Sequence, residues 1–396
     1  MARTASTAVE PGQRRWRFDR AELAGAVADL GVLVPIAVGL IVTCGLSPTA
    51  VLLPAGLLYV VSGLVYRVPV PVQPLKAFGA IVIAQDLGAD VIASGALLIG
   101  VIFVVLGGTG VLGRLARVFP RPIVRGIQLS VGMLFVHLAW DLVTEPPAAL
   151  ADHARPTWWL LGGAVAVAVA ALALRRHGIT LVLLAVAVAG MVLAYRGPLD
   201  LGPSPLQPPH LSWSALATAA VVLVLPQIPL TFANACLATA DTARAYFGDA
   251  ASRVRPGRLA VSLGAANLLV GAIAGMPVCH GAGGMSAHRG FGARTGGAPV
   301  ALGSALVVVG LTLGASLTAV LAGFPVPILA GLLAVAGLLH VVLLKDLRHP
   351  AHWALALAVG VTGVLSNLAI ALVGALVVWY SVRAVLAWRE RAAAEA

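Results

Sequence analysis

Charge is scarce in this sequence. Asp, Glu, Lys and Arg make up only 10% of its 396 residues, against about 25% in an ordinary soluble domain. Hydrophobic residues reach 60%, and the mean hydropathy is +0.98. A soluble globular chain is thereby excluded, and a polytopic helical membrane protein with the lipid bilayer as its solvent is expected. Cysteine is nearly absent as well. Cys44, Cys236 and Cys279 all fall in apolar or site-like segments, which rules out a disulfide framework. The first two read as small buried hydrophobes. Lysine occurs only at Lys76 and Lys345. No G-x-x-x-x-G-K-[ST] motif is present, so a pump would need a separate motor. No cofactor and no metal site are expected.

The net charge of +11 does not indicate a nucleic-acid partner. The basic residues cluster between apolar spans, as the positive-inside rule places them. The first span runs on from Arg14-Arg15 without an A-x-A-like cleavage site and reads as an uncleaved helix.

Within this apolar chain, residues 276–296 (MPVCHGAGGMSAHRGFGARTG) are polar, basic and rich in glycine. Each glycine costs a helix roughly 1 kcal/mol against alanine. Irregular backbone at membrane depth is tolerated only where protein buries it or a cavity wets it. The stretch therefore reads as a broken helix lining a site. It has a partner upstream: Pro71-Val72-Gln73-Pro74 matches Pro277-Val278-Cys279-His280 at an offset of 206, each followed by a short helical segment. Two interrupted segments at corresponding places point to a transporter's binding site.

In chain order, residues 1–20 form a basic cytoplasmic arm. Spans are expected near 22–43, 48–66, 91–112, 122–140, 158–174 and 179–195. Segment 3, near 75–87, is too short to cross a ~30 Å core. A proline-rich linker at 197–211 separates the halves. In the second half, span 8 (213–239) is interrupted at Pro226-Gln227-Ile228-Pro229, and span 9 (259–275) leads into short segment 10. Spans follow near 299–321, 325–344, 352–365 and 368–386, with a tail at 388–396. The repeats are thus 21–196 and 212–387. A second match supports them: Phe119-Pro120-Arg121-Pro122-Ile123-x-x-Gly126 against Phe324-Pro325-Val326-Pro327-Ile328-x-x-Gly331, with Gly132 against Gly337, at an offset of 205. Seven segments per half is odd, so the halves insert oppositely. With both termini cytoplasmic, nearly all Lys and Arg fall inside, Arg155 and Arg196 excepted. Asp86, Asp90, Asp141, Glu145, Asp152 and Asp200 fall outside. The expected fold is an all-α seven-plus-seven inverted repeat whose two half-helices meet at mid-membrane.

Each half-helix N-terminus carries about +0.5 charge and unpaired backbone N–H groups, which makes an anion site. Gly281, Gly283 and Gly284 let backbone approach a ligand closely. Lys76 adds a full charge; its alternatives are snorkelling to water or pairing with Asp29. Gln73, Ser286 and His280 are candidate hydrogen-bonding groups for a tetrahedral oxyanion, although His280 also reads as a satisfied structural histidine. Pro74, Leu75, Cys279 and Ala282 complete the two junctions, and span 8 supplies Gln227 and Asn234. Asp29 is the one carboxylate placed well inside a span, with Asn234 as its counterpart at the same offset of 205. Asp29 and His280 are the candidates for proton coupling. His137 and Asp141 read as a surface pair, and Arg289 and Arg294 as topology anchors.

At these residues the sequence resembles the molybdate transporter family related to the sulfate permeases. PVPVQPLKA and PVCHGAGGMSAHRGFGARTG are similar to its two signature motifs, and ADLGVLVP and LPQIPLTFANA add to the likeness. The resemblance implies a fold shared with nucleobase permeases, with core and gate subdomains and the site between segments 3 and 10. It implies molybdate as substrate, with sulfate as an alternative. By position, the family's motif residues are Gln73, Pro74, Lys76, His280, Gly281, Gly283 and Gly284. The chain ends soon after span 14, so the regulatory STAS domain of the wider sulfate permeases is not expected. The reading is a secondary importer in the cell (inner or plasma) membrane, with a homodimer as an allowed assembly. A passive anion channel of the same fold is the alternative. An intramembrane enzyme built on Cys279, His280 and His288 is disfavoured by their spacing.

Overall fold

The computed structural model describes residues 16–27, 30–115, 118–147, 150, 156–174 and 179–395. Residues 1–15 of the basic arm, Asp29, Arg117, Asp152, Arg155, Arg175 and Arg176 lie outside the described residues.

The first half comprises α1 (Arg20–Ala26), α2 (Leu30–Val42), α3 (Pro48–Tyr66), β1 (Gln73–Pro74), α4 (Lys76–Ala84), α5 (Ala89–Thr109), α6 (Leu112–Leu115), α7 (Arg121–Thr144), α8 (Thr157–Ala173) and α9 (Ile179–Ala194). The second comprises α10 (Trp213–Ala251), α11 (Pro256–Ala272), β2 (Val278–Cys279), α12 (Ala282–Gly290), α13 (Gly297–Thr312), α14 (Gly314–Leu321), α15 (Val326–Val341), α16 (Pro350–Leu365) and α17 (Leu368–Glu395). Six helices among the described residues are long and apolar enough to cross a membrane, and bent pairs raise this to eight; α8, α9 and α16 are shorter apolar helices. The fold is an all-α membrane architecture with broken helices.

Helix starts follow from proline chemistry. Pro48, Pro256 and Pro350 stand in the first turn of α3, α11 and α16, where a missing N–H costs nothing. The repeated FPxPI motif begins α7 and α15 at equivalent points, with Pro120 and Pro325 as N-caps. The two halves interlock as an inverted repeat: α5 lies along α11 and α3 along α13, while α7 meets α15. Glycines allow the close approach, as in membrane helix pairs driven by packing rather than by hydrophobicity. On α3, Gly56 and Gly63 face Gly303 and Gly296; on α5, Gly107 faces Gly257, and Gly264 faces Gly100. Each helix presents two glycines seven residues apart, hence on one face. The equivalent motif glycines act alike: a Cβ on Gly126 would lie 2.5 Å from Val359, and one on Gly331 2.5 Å from Val167.

Three expectations are corrected. Span 8 is not interrupted, because α10 runs through both prolines. It is π-helical at Ala219–Val224, just before Pro226, and at Thr231–Ala238, just after Pro229. Widened turns accommodate the proline rings and the missing N–H groups. Span 11 stops at Thr312, and the chain turns 95° into α14. The linker captures that end: Gly202 N–H donates to Thr312 O (2.8 Å) and Asp200 N–H to Ser316 Oγ (2.7 Å). Segment 3 is shorter than expected, at nine residues.

Candidate functional site

The two motifs that break the helices pair with each other. Three prolines at 69, 71 and 74 hold the first in an extended path. β1 and β2 form an antiparallel ribbon in the register Gln73↔Cys279 and Pro74↔Val278, and Leu75 N–H donates to Pro277 O (2.9 Å). Asn267, fully buried on α11, clamps the ribbon from behind. Its Nδ2 donates to Val278 O (2.7 Å) and its Oδ1 accepts from Val278 N–H (3.0 Å). Sequence reasoning missed Asn267; the signal was a lone amide in the apolar run LGAANLLVG.

The ribbon leads into the N-termini of α4 and α12 at its two opposite ends, because its strands are antiparallel. The two N-termini are not equivalent. In α4 the first helical bond runs from Gly79 N–H to Leu75 O (2.7 Å), and the Phe78 N–H is taken by Gln227 Oε1 (3.0 Å). Gln227 Nε2 donates to Thr231 Oγ1 (2.9 Å), which fixes the amide with its oxygen toward α4. In α12 the first helical bond runs from Met285 N–H to Gly281 O (3.2 Å). The N–H groups of Ala282, Gly283 and Gly284 have no acceptor among the described residues.

Gly281, the N-cap of α12, lies against Gln73: a Cβ there would run into Gln73 Oε1 and come within 3.5 Å of Asn234 Nδ2. Gly283 is exposed, and a Cβ on it would meet nothing within 4 Å. Lys76 opens α4, half-buried and without a carboxylate partner among the described residues. Helix α10 thus serves both N-termini, with Gln227 at α4 and Asn234, two turns on, at α12. Residues 68–84, 225–240 and 276–296 contain no Asp or Glu. Unpaired N–H groups, two helix N-termini and one ammonium are suited to an anion.

Some candidates are placed elsewhere. His280 is a correction: it is fully buried, with Nδ1 2.9 Å from Pro71 O and Nε2 2.9 Å from Ser262 Oγ. A carbonyl only accepts, so Nδ1 carries the proton, while Nε2 lies against the Ser262 hydroxyl. The ring also meets Tyr66 edge-on at 5.9 Å. His280 braces one motif on the other and has no ring nitrogen left for a ligand. Ser286 sits a turn into α12, its hydroxyl near Ala282 O (3.0 Å) and Tyr246 Oη (3.1 Å). Cys279 Sγ points to Pro74 O (3.6 Å), inside the ribbon. His288 is buried against Tyr59, ring centroids 6.3 Å apart. Cys279, His280 and His288 therefore have different neighbours and do not converge. No cluster of His, Cys, Asp or Glu suited to a metal occurs among the described residues.

His137 and Asp141 lie 3.6 Å apart on the surface, and Arg289 stacks 4.2 Å above the Tyr246 ring. Asp29, the coupling candidate, lies outside the described residues.

Comparison with solved structures gives the fold. The transmembrane domain of a cyanobacterial bicarbonate transporter, BicA, superposes with a TM-score of 0.64 at 17% identity, covering 91% of this chain and 98% of that one. The murine Solute Carrier 26 family member A9 anion transporter, in an inward-facing state, gives 0.64 at 14% identity, over 94% and 69%. Molybdate transporter 2 of Arabidopsis thaliana is 30% identical over 399 residues, covering 87% of this chain and 85% of its own. The family model described as "Molybdate transporter of MFS superfamily" matches residues 21–135 and 219–339. With that match over more than half its length, the chain belongs to the molybdate transporter family.

Proposed function

We propose that this protein is a secondary transporter that imports molybdate, bound as a dianion at the junction of α4 and α12. The observation that carries the reading is the ribbon Gln73–Pro74/Val278–Cys279, from whose two ends the half-helices α4 and α12 start, with Lys76 as the first residue of α4. The oxyanion would take the open N–H groups of α12, the Lys76 ammonium and the amides of Gln73 and Asn234. The names of the relatives support molybdate. Sulfate has the same shape and charge, and the residue chemistry does not separate the two.

Import into a cell that is negative inside moves two negative charges against the potential, at about 2.3 kcal/mol per charge per 100 mV. A passive uniporter or channel would therefore exclude the ion, and co-transported protons are the simplest remedy. Asp29 is the proposed carrier. The basic loops support an orientation with both termini cytoplasmic in the cell membrane. Uptake of radiolabelled molybdate by cells expressing the protein, with excess sulfate as competitor, tests the reading. Concentrative uptake that resists sulfate supports it, and uptake that only equilibrates would identify a channel instead.

A further inference from the structure

Helix α3 ends, α5 ends and α11 begins on one side of the molecule, and an open crevice of about 590 Å³ lies between them. Sites for small molecules span roughly 300–1,000 Å³. Its walls are apolar and face outward: Val61, Val65 and Val261 are 43%, 41% and 38% exposed. Arg255 and Arg258 line its polar end. Arg255 donates from Nε to Ser252 O (3.1 Å), and neither guanidinium meets a carboxylate among the described residues. Tyr66 and Ser262 also line it, their hydroxyls 2.7 Å apart, and Ser262 Oγ is 2.9 Å from His280 Nε2.

Two arginines without a carboxylate partner among the described residues, at the head of an apolar slot at the end of membrane-spanning helices, complement an amphiphile with an anionic head. A zwitterionic lipid would not match the charge, and a free anion would leave the valine walls bare. Basic pockets between transmembrane helices suit anionic headgroups. We propose that this crevice binds an anionic phospholipid, its phosphate on Arg255 and Arg258 and an acyl chain along Val61, Val65 and Val261. The lipid would then sit against the hydroxyl pair that holds His280, and so would stabilise the brace between the two motifs. This goes beyond the transport reading and does not depend on it.

The test uses the full-length protein in detergent, titrated with phosphatidylglycerol, with phosphatidylcholine and soluble glycerol 3-phosphate in parallel. Lipid retention is read by native mass spectrometry and stability by the melting temperature. Phosphatidylglycerol alone should be retained and raise the melting temperature. Each basic residue near an anionic headgroup contributes roughly fivefold in affinity, so Arg255→Gln with Arg258→Gln should weaken retention about 30-fold. Val65→Trp should fill the slot and weaken retention without changing charge, and it decides the matter if the arginine variant does not fold. Arg389→Gln with Arg391→Gln, on the exposed end of α17, should change nothing. Equal retention of phosphatidylcholine, the same stabilisation by glycerol 3-phosphate, equal loss in the α17 control, or undiminished retention in Val65→Trp would each overturn the proposal.

Discussion

Gly132 and Gly337, which occupy the same position in the two repeats, touch each other. A Cβ on Gly132 would lie 2.7 Å from the carbonyl oxygen of Gly337, and one on Gly337 would lie 2.5 Å from that of Gly132. The reciprocity is what a local two-fold axis between α7 and α15 requires. Helices this close leave no room for a methyl group, and forced overpacking costs about 1–3 kcal/mol. Gly132→Ala should therefore lower the melting temperature in detergent. Adding Gly337→Ala should cost less than the first change, because the helices have already parted. Fully additive losses would show that the two sites relax independently.

Lys76 and Gln227 test the charge of the proposed anion site from opposite directions. Lys76→Gln removes a positive charge from the mouth of α4; at about 1.5–3 kcal/mol for a charged hydrogen bond, molybdate binding should weaken by roughly 10- to 150-fold. Gln227→Glu keeps an oxygen acceptor for the Phe78 N–H but adds a negative charge beside the site. The protein should fold and bind more weakly. Calorimetry on purified variants reads both, and an unchanged affinity in either would remove that residue from the site.

Gly281 and Gly283, two residues apart, should fail differently. Gly281→Ala pushes a methyl group into Gln73, so expression and melting temperature should fall. A Cβ on Gly283 meets nothing within 4 Å, so with Gly283→Val the fold should survive while the side chain blocks the open N–H groups, and uptake should be lost. Normal uptake by a well-expressed Gly283→Val protein would place the anion elsewhere.

His280→Ala removes a brace between the motifs, not a ligand. Losing two buried hydrogen bonds should lower stability by about 1–3 kcal/mol. The fraction that stays folded should bind molybdate with affinity close to that of the parent. A loss of affinity without a loss of stability would return His280 to the ligand set.

Asp29→Asn addresses coupling. If Asp29 carries the co-transported proton, proton and substrate promote each other's binding by linkage. The variant should still exchange labelled for unlabelled molybdate yet fail to accumulate it under an imposed proton gradient. Parent protein whose uptake ignores that gradient would leave Asp29 with a structural task.

Much of this architecture is legible in the chain itself. Hydropathy specifies the membrane, and the FPxPI-x-x-G repeat places α7 and α15 at matching points, because proline starts a helix wherever the chain is threaded. The paired PV motifs mark both half-helices for a similar reason: proline and glycine act through their own backbone, so their effect is local. What lay beyond the sequence depends on partners distant along the chain. Gln73 and Cys279 carry nothing that announces their pairing. The path of α10 through Pro226 and Pro229 depends on π turns that tertiary packing sustains. His280 is the sharpest case, since an imidazole in a glycine-rich motif suits a ligand and a brace equally well. Only the positions of Pro71 O and Ser262 Oγ decide between them, because hydrogen-bond partners are set by the fold and not by residue type.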